Sequence, residues 1–180
     1  GRVPRGVSNY NPPIGWLASE KYDGYRAQYC PKKRQFVSRQ NKPFNAPEWF
    51  LSAMPPDCRL DGELWIGRDR FQEMGVVRKK EPVDEEWMNI KYYVYDLPEM
   101  EEPFEERYKQ LMKLVKKHKT RWNTLKKKLS KKNPLLMDIS SPLQITKQIV
   151  IESNKHMDDI YKQVLALKGE GIMIKHPQSM

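Results

Sequence analysis

The sequence predicts a mixed α+β fold in which most strands pair antiparallel. The first 100 residues read as short strands separated by proline-containing loops. Apolar residues then recur at helical spacing over residues 105–130, and another strand, helix and strand follow. With 180 residues, 38% of them hydrophobic, the chain is long enough to form one domain with a substantial core.

The predicted strands alternate apolar and polar residues or are rich in aromatic and branched residues. Alternation over residues 25–29 predicts a half-buried strand. The polar stretch 31–34 then predicts a turn into a second strand over 35–39, so the two form a hairpin. Further strands are predicted over residues 60–66, 91–95, 148–151 and 172–174.

Two helices are predicted in the second half of the chain. The first covers residues 105–130, where the apolar residues fall on one face. The second runs from about 155 to 167. Ser153 or Asn154 can cap its start, and Gly169 is expected to end it.

The net charge of +10 comes from one segment of the chain. Residues 107–132 contain twelve Lys and Arg and no Asp or Glu, whereas the remaining residues contain twenty-one basic and twenty-three acidic side chains. Such a run is typical of a solvated helix face. It is equally typical of a patch that binds the phosphate backbone of a nucleic acid in a salt-dependent manner.

Composition excludes several other classes of protein. No stretch approaches the roughly 18 apolar residues of a membrane helix, and residues 1–5 show no apolar signal core. We therefore expect no membrane partner, and we expect a monomer. Cys30 and Cys58 are too few for a disulfide framework, which indicates free thiols in a reducing, intracellular compartment such as the cytoplasm or nucleus. The three scattered histidines do not predict a His-rich metal site.

The segment Lys21-Tyr22-Asp23-Gly24-Tyr25-Arg26 combines a possible nucleophile, a tight turn and a cation that suits phosphate. A lysine amine has a pKa of about 10.4 and must lose its proton before it attacks. Nearby cations or a metal promote that loss. Alone, the pattern is more typical of a surface lysine beside an ordinary turn.

Three further motifs place polar groups next to predicted strands. Glu63 follows an Asp-Gly turn and can bind a ribose hydroxyl or a metal. Tyr93 and Tyr95 share one face of a strand, and either can stack on a flat base. Glu170 enters, and Lys175 leaves, the last predicted strand. Each motif alone also has a structural interpretation as a hairpin corner, core packing or a helix stop.

Taken in order and spacing, these motifs resemble those of the adenylation domain of ATP-dependent DNA ligases, which belong to the covalent nucleotidyltransferase superfamily. The resemblance covers nearly the whole chain and rests on residues 21–26, 38–40, 61–64, 93–97 and 170–175. Residues 45–50, 63–68 and 103–107 resemble the small, minimal DNA ligases in particular. The fold implied is a nucleotidyltransferase (ATP-grasp-like) domain with largely antiparallel sheets flanked by helices.

The resemblance implies a three-step reaction on nicked double-stranded DNA. Lys21 attacks the α-phosphate of ATP and forms lysyl-AMP, with release of pyrophosphate. AMP then passes to the 5′-phosphate at the nick, and the 3′-hydroxyl attacks that phosphate and displaces AMP. The family also uses Mg²⁺.

The resemblance further implies a role for each matching residue. Arg26 and Arg39 are expected to contact phosphates and ribose, and Glu63 the AMP ribose. Tyr95 is the first candidate for stacking on adenine, and Tyr93 the second. The remaining candidates are Glu170 and Glu63 for Mg²⁺, Lys175 for phosphate, and Lys116, Lys117, Lys119, Arg121, Lys126, Lys127 and Lys128 for DNA.

The sequence departs from the family pattern in three places. Many members have Glu two residues before the nucleophile, but this chain has Ser19 there and Glu20 next to Lys21, so Ser19, Glu20 or backbone groups are expected to read adenine. Gln40 replaces the usual Gly after the second-motif Arg. The family's fifth motif and OB-fold domain are expected beyond Met180, so residues 1–180 are expected to form an adenylation domain truncated before that motif.

Two alternatives share the first motif. An RNA ligase or an mRNA-capping guanylyltransferase also uses a nucleophilic lysine in this setting. Sealing of nicked DNA or of RNA, together with labelling by ATP or by GTP, separates these enzymes from a DNA ligase. The other alternative is a nucleotide- or DNA-binding fragment with little turnover.

Overall fold

The computed structural model describes residues 13–180, which form nine strands in two sheets, three α-helices and three short 3₁₀ helices. The strands are β1 Leu17–Glu20, β2 Tyr25–Cys30, β3 Gln35–Val37, β4 Pro43–Phe44, β5 Leu60–Trp65, β6 Lys91–Asp96, β7 Leu143–Ile145, β8 Ile149–Val150 and β9 Ile172–Lys175. The α-helices are α1 Glu48–Ser52, α2 Phe104–Leu129 and α3 Asn154–Ala166. The 3₁₀ helices are Phe71–Arg78, Asp84–Trp87 and Pro134–Asp138.

The larger sheet has six strands in the order β4-β3-β2-β5-β6-β7. All neighbours pair antiparallel except β6 and β7, which are parallel. The predicted hairpin is confirmed, because Gln28 pairs with Val37 across the turn at 31–34. The parallel pair was not predicted. It is possible because the long helix α2 forms the crossover between β6 and β7.

The main core lies between one face of this sheet and α2. Tyr92 and Val94 of β6 belong to the same buried cluster as Leu111, Val115 and Trp122 of the helix. Since side chains alternate across a strand, Tyr93 and Tyr95 project from the opposite face. The predicted helix over 105–130 is therefore confirmed, together with its apolar stripe.

The smaller sheet has three antiparallel strands in the order β8-β1-β9 and packs with α3 around a second core. The predicted cap is confirmed, because the Ser153 hydroxyl accepts a hydrogen bond from the His156 N–H. The end of α3 differs from the prediction. Lys168, with φ +68°, takes the left-handed position expected of Gly169, while Gly169 donates its N–H to the Val164 carbonyl (2.9 Å).

The first motif joins the two sheets. Strand β1 pairs with β9, where Glu20 lies opposite Ile172, and it ends immediately before Lys21. Strand β2 of the larger sheet begins at Tyr25. The intervening turn is therefore held between the sheets, which fixes the position of the candidate nucleophile.

The expectations about membrane association, signal peptide and cellular compartment rest on different parts of the chain. Across residues 13–180, no helix has both the length and the apolar character required to cross a membrane. Cys30 and Cys58 are free thiols. Residues 1–5, on which the signal-peptide expectation rests, lie outside the described residues.

Gly62 lies at a register shift where β5 meets β6, so a side chain there should be poorly tolerated. A Cβ atom on Gly62 would lie 2.5 Å from the Tyr93 carbonyl oxygen and 2.9 Å from the Val94 Cα. Both neighbours are backbone atoms of a central strand and cannot move aside. We expect Gly62→Ala to lower the free energy of unfolding by about 3 kcal/mol, measured by urea denaturation.

Gly75→Ala is the matched control, because no neighbouring atom lies within 4 Å of a Cβ at that position. Its effect should be below about 1 kcal/mol. Equal effects of the two substitutions would contradict the close approach of β5 and β6.

Candidate active site

A cleft of about 670 Å³ lies at the junction of the two sheets. Its volume is within the range of about 300–1,000 Å³ that is typical of small-molecule sites. The structure brings most of the residues predicted to bind the nucleotide or the metal together there, namely Ser19, Glu20, Lys21, Arg26, Arg39, Glu63, Tyr95 and Lys175.

Lys21 is held at this cleft by its backbone and by its side chain. Its N–H donates to the Gly171 carbonyl (2.8 Å), and its Nζ lies 3.2 Å from Oε2 of Glu170. Gly171 has φ +152°, a conformation that side chains disfavour, which explains the glycine after Glu170. With 27% of its side chain exposed, Lys21 is accessible to a ligand in the cleft.

The turn after Lys21 is fastened to β5. The Trp65 indole Nε1–H donates to Oδ1 of Asp23 (2.6 Å), and the Gly24 N–H donates to Oε2 of Glu63 (3.2 Å). A Cβ on Gly24 would collide with the Leu64 carbonyl oxygen, so this approach requires glycine. Sequence reasoning missed Trp65, whose role depends on a partner 42 residues away.

The two arginines of the cleft differ in how much of their charge is neutralised. Arg26 donates two hydrogen bonds to Asp61 (2.8 and 3.3 Å), and its guanidinium carbon lies 6.0 Å from the centre of the Tyr95 ring. Within residues 13–180, Arg39 has no carboxylate at ion-pairing distance. Arg39 is therefore the more available cation for a phosphate. Asp61, which is buried, was not predicted as a site residue.

Glu63 is a carboxylate with little compensating charge. Burial raises the pKa of Glu63 to about 7, although the Gly24 N–H and the charge of Arg26 oppose the shift. A buried carboxylate of this kind is stabilised by a hydroxyl donor or by a cation. The position therefore suits a ribose hydroxyl or a metal ion.

The two candidate stacking residues lie in different surroundings. Tyr95 lines the cleft, and its hydroxyl donates to the Gly62 carbonyl (3.2 Å). Burial raises the pKa of Tyr95 well above its usual range, so the phenol stays protonated. Tyr93 instead packs against the rings of Tyr22 and Trp65, with centroid distances of 5.1 and 5.3 Å. Of the two rings, Tyr95 is the one that borders the cleft.

Glu20 and Ser19, the candidates for reading adenine, are not equally available. Glu20 accepts two hydrogen bonds from the Arg68 guanidinium, at 2.7 and 3.0 Å. Ser19 lies beside it on β1 and lines the cleft. Arg68 is another residue that sequence reasoning missed, although it lies within the stretch 63–68 that carried part of the resemblance.

Lys175 reaches the cleft as part of a partly buried ionic network. Its Nζ lies 3.3 Å from Oδ2 of Asp96 and 4.5 Å from the centre of the Phe104 ring. Arg107, only 4% exposed, donates to both oxygens of Asp96 (2.7 and 3.3 Å). Burial opposes ionisation of Asp96, but the hydrogen bonds from Arg107 and the charge of Lys175 outweigh it and lower the pKa. The charge of Lys175 is therefore partly neutralised.

Comparison with known proteins identifies the family. Residues 7–180 match the family model described as ATP dependent DNA ligase domain. The chain belongs to this family of ATP-dependent DNA ligases. The sequence is also 29% identical over 171 residues to a DNA ligase of Haemophilus influenzae, an alignment that covers 95% of this chain and 55% of that protein. This ligase domain thus spans about half the length of that relative.

Solved structures of ligases share the fold. A structure from a structure-function analysis of Lig E DNA ligases, described as DNA binding with a minimal scaffold, superposes with a TM-score of 0.74 at 22% identity. The superposition covers 100% of this chain and 62% of the Lig E structure's chain. The Chlorella virus DNA ligase-adenylate superposes with a TM-score of 0.63 at 16% identity, covering 99% and 59% of the two chains. The predicted adenylation-domain fold is therefore confirmed.

The acidic residues of the ligase domain suit a metal shared with a substrate. In residues 13–180, no three His, Cys, Asp or Glu side chains are grouped to hold a metal ion by themselves. Mg²⁺ is commonly bound by one or two carboxylates together with substrate phosphates and water. Glu170 beside Lys21 and the desolvated Glu63 fit that mode of binding.

The raised pKa of Glu63 predicts a pH-dependent contribution to stability. Between its ordinary pKa of about 4.3 and its folded pKa of about 7, Glu63 is ionised in the unfolded chain but protonated in the folded chain. Raising the pH through this window therefore lowers the stability of the folded state. The free energy of unfolding of the wild type, relative to Glu63→Gln, should fall between about pH 4 and about pH 7.

Urea denaturation of both proteins across this pH range measures the difference, and carbon NMR of the Glu63 carboxyl should show a midpoint near 7. A constant difference in stability, together with a midpoint near the ordinary value, would show that Glu63 is not desolvated.

Proposed function

We propose that the chain is the nucleotide-transferring domain of an ATP-dependent DNA ligase, in which Lys21 accepts AMP. The AMP then passes to the 5′-phosphate of nicked double-stranded DNA, and the 3′-hydroxyl completes sealing. One observation carries the proposal: a single cleft gathers cationic, acidic and aromatic side chains around one lysine amine. Membership of the ATP-dependent DNA ligase family supports ATP and DNA over the RNA-ligase and guanylyltransferase alternatives.

The first step uses the Lys21 amine as a nucleophile. The bond from Nζ to the α-phosphorus forms as the bond from that phosphorus to the pyrophosphate oxygen breaks. Attack requires the neutral amine, and Oε2 of Glu170 lies 3.2 Å from Nζ. Glu170 is also within reach to accept the proton that Nζ must lose.

The cations of the cleft stabilise charge on the transferring phosphate. Arg39, which has no carboxylate at ion-pairing distance among residues 13–180, can bind a phosphate without releasing another partner. Arg26 and Lys175 add positive charge, although Asp61 and Asp96 hold them in place. Fixed charges of this kind cost no reorganisation when the phosphate reacts.

The sugar and base occupy the acidic and aromatic sides of the cleft. Glu63 accepts a hydrogen bond from a ribose hydroxyl, which suits a desolvated carboxylate. Tyr95 offers its ring for stacking on adenine, and Ser19 lies where it can contact the base edge. Because Glu20 accepts hydrogen bonds from Arg68, Ser19 and backbone groups recognise adenine instead.

Glu170 and Glu63 are the residues that would hold Mg²⁺. When bound, the metal neutralises phosphate charge during the displacement. We also propose that the protein acts as a monomer in a reducing intracellular compartment, which suits the free thiols Cys30 and Cys58.

Incubation of the chain with Mg²⁺ and α-labelled ATP tests the nucleophile. We expect covalent label on the wild type and none on Lys21→Ala, because the substitution removes the only atom proposed to bond to the α-phosphorus. The linkage should be lost in acid, which protonates a P–N bond, and should persist in alkali. Lys33→Ala, an exposed lysine in the β2–β3 turn, is the control and should label normally.

Label on Lys21→Ala, or no label on any of the three proteins, would count against the proposed reaction. Efficient labelling by GTP in place of ATP would instead support the guanylyltransferase alternative.

Substitution of Tyr95 tests base stacking. Tyr95→Leu should weaken ATP binding about tenfold, since aromatic stacking on a base contributes about 1–3 kcal/mol. Tyr95→Phe keeps the ring and loses only the hydrogen bond to the Gly62 carbonyl, so it should bind ATP nearly as well as the wild type. Calorimetric titration with ATP measures both, and equal affinity of the Leu and Phe variants would exclude stacking by this ring.

A further inference from the structure

The long basic helix α2 presents its cations on two separate surfaces. Met112, Lys116, Lys119, Asn123 and Lys126 recur at alternating spacings of four and three residues, which places them along one side of the helix. The DNA-contact candidates Lys117, Arg121 and Lys128 fall outside that stripe. The sequence alone predicts a single patch for all of these cations.

The stripe borders a groove of about 550 Å³ between α2 and the segment 140–145. Lys116, Lys119 and Lys126 line it, and all of its lining residues lie within 13–180 and include no carboxylate. The Lys119 Nζ donates a hydrogen bond to Oε1 of Gln144 (3.0 Å). Because this partner is neutral, the charge of Lys119 stays uncompensated. Thr120, Asn123 and Ser140 add neutral polar groups along the same groove.

The opposite flank of α2 is less available. The Arg121 guanidinium donates to the carbonyl oxygens of Ser52 (3.0 Å) and Met54 (3.1 Å), and to Nδ1 of His118 (3.0 Å). These bonds attach the helix to the end of α1. Arg121 therefore stabilises the packing of the helix. Lys117 lines a different cavity, which Arg121 also lines.

The groove is separate from the cleft that contains Lys21. Helix α2 packs on the face of the six-stranded sheet formed by Tyr92 and Val94, whereas Tyr95 borders the cleft from the other face. Phe104, the first residue of α2, lies at the cleft. At a rise of about 1.5 Å per residue, Lys116 lies about 18 Å and Lys126 about 33 Å further along the helix axis.

We propose that this groove is a second binding site for the sugar-phosphate backbone of duplex DNA, used whether or not the DNA is nicked. The choice of DNA over other polyanions rests on the proposed function. The three lysines span about 15 Å along the helix, a length over which they can contact successive phosphates of one strand. The Asn123 amide and the Ser140 hydroxyl are of the kind that contact phosphate oxygens without reading sequence.

Such a site increases the affinity for DNA but does not discriminate between sequences or between nicked and intact duplexes. Lysine contacts to phosphates release counterions, so their contribution depends on salt and is equal for intact and nicked duplexes. The domain can then remain on DNA while nick recognition depends on the separate cleft.

Replacing Lys116, Lys119 and Lys126 together by Gln tests the site. Each lost phosphate contact should reduce the slope of log K against log salt by about 0.9, and three by about 2.7. Between about 50 and about 200 mM salt, the wild type should therefore lose roughly 40-fold more affinity than the triple variant. Fluorescence anisotropy with the full chain measures binding to an intact duplex and to the same duplex with one nick.

The control replaces Lys32, Lys33 and Lys155 by Gln, because these exposed lysines give the same change in net charge outside the groove. The proposal predicts a much smaller change in slope for the control and equal losses on the two duplexes for the groove variant. An unchanged slope, a slope matching the control, or a loss confined to the nicked duplex would each overturn it. So would a loss on duplex RNA without a loss on duplex DNA.

Labelling by α-labelled ATP in the absence of DNA separates this proposal from the proposed function. The groove variant should label as well as the wild type, because the groove does not contribute to the cleft. If the wild type itself failed to label, the proposed function would fail, while the salt slope would still decide whether the groove binds DNA.

Discussion

The attachment of one turn between two sheets is the constraint on which the site depends. Lys21 is tied to the smaller sheet through the Gly171 carbonyl, and Asp23 and Gly24 are tied to β5 through Trp65 and Glu63. Neither sheet alone would fix the lysine amine, because its backbone is held on one side and the following turn on the other. The glycine at position 24 permits the close approach, since a Cβ would meet the backbone of β5.

Electrostatics around this turn divides the charged groups into fixed and available ones. Asp61 holds Arg26, Arg68 holds Glu20, and Arg107 with Lys175 holds Asp96. Paired groups shape the cleft and keep their positions when a ligand enters. Arg39, without a carboxylate partner in residues 13–180, and Glu63, with its pKa near 7, retain unmet interactions. These two are the groups that gain most from a phosphate and a sugar.

Local pattern explains how much of the fold was predictable. The hairpin of β2 and β3 and the helix α2 have clear periodicity, so both were found in the sequence. Strands β1, β4 and β7 contain only two to four residues, and β1 and β7 also pair with strands far away in the sequence, so no local signal identifies them. The same difference between local and distant signals decides which site residues could be predicted. Lys21 and Glu63 belong to motifs, whereas Trp65 acts through a contact 42 residues away.

The central claim is that AMP becomes attached to one lysine, and peptide mapping by mass spectrometry tests it most directly. The chain would be incubated with ATP and Mg²⁺, digested under conditions that preserve a P–N bond, and sequenced by fragmentation. We expect AMP on Lys21, the lysine held beside Glu170 in the cleft. AMP on Lys175, on a lysine of α2 or on no residue would contradict it.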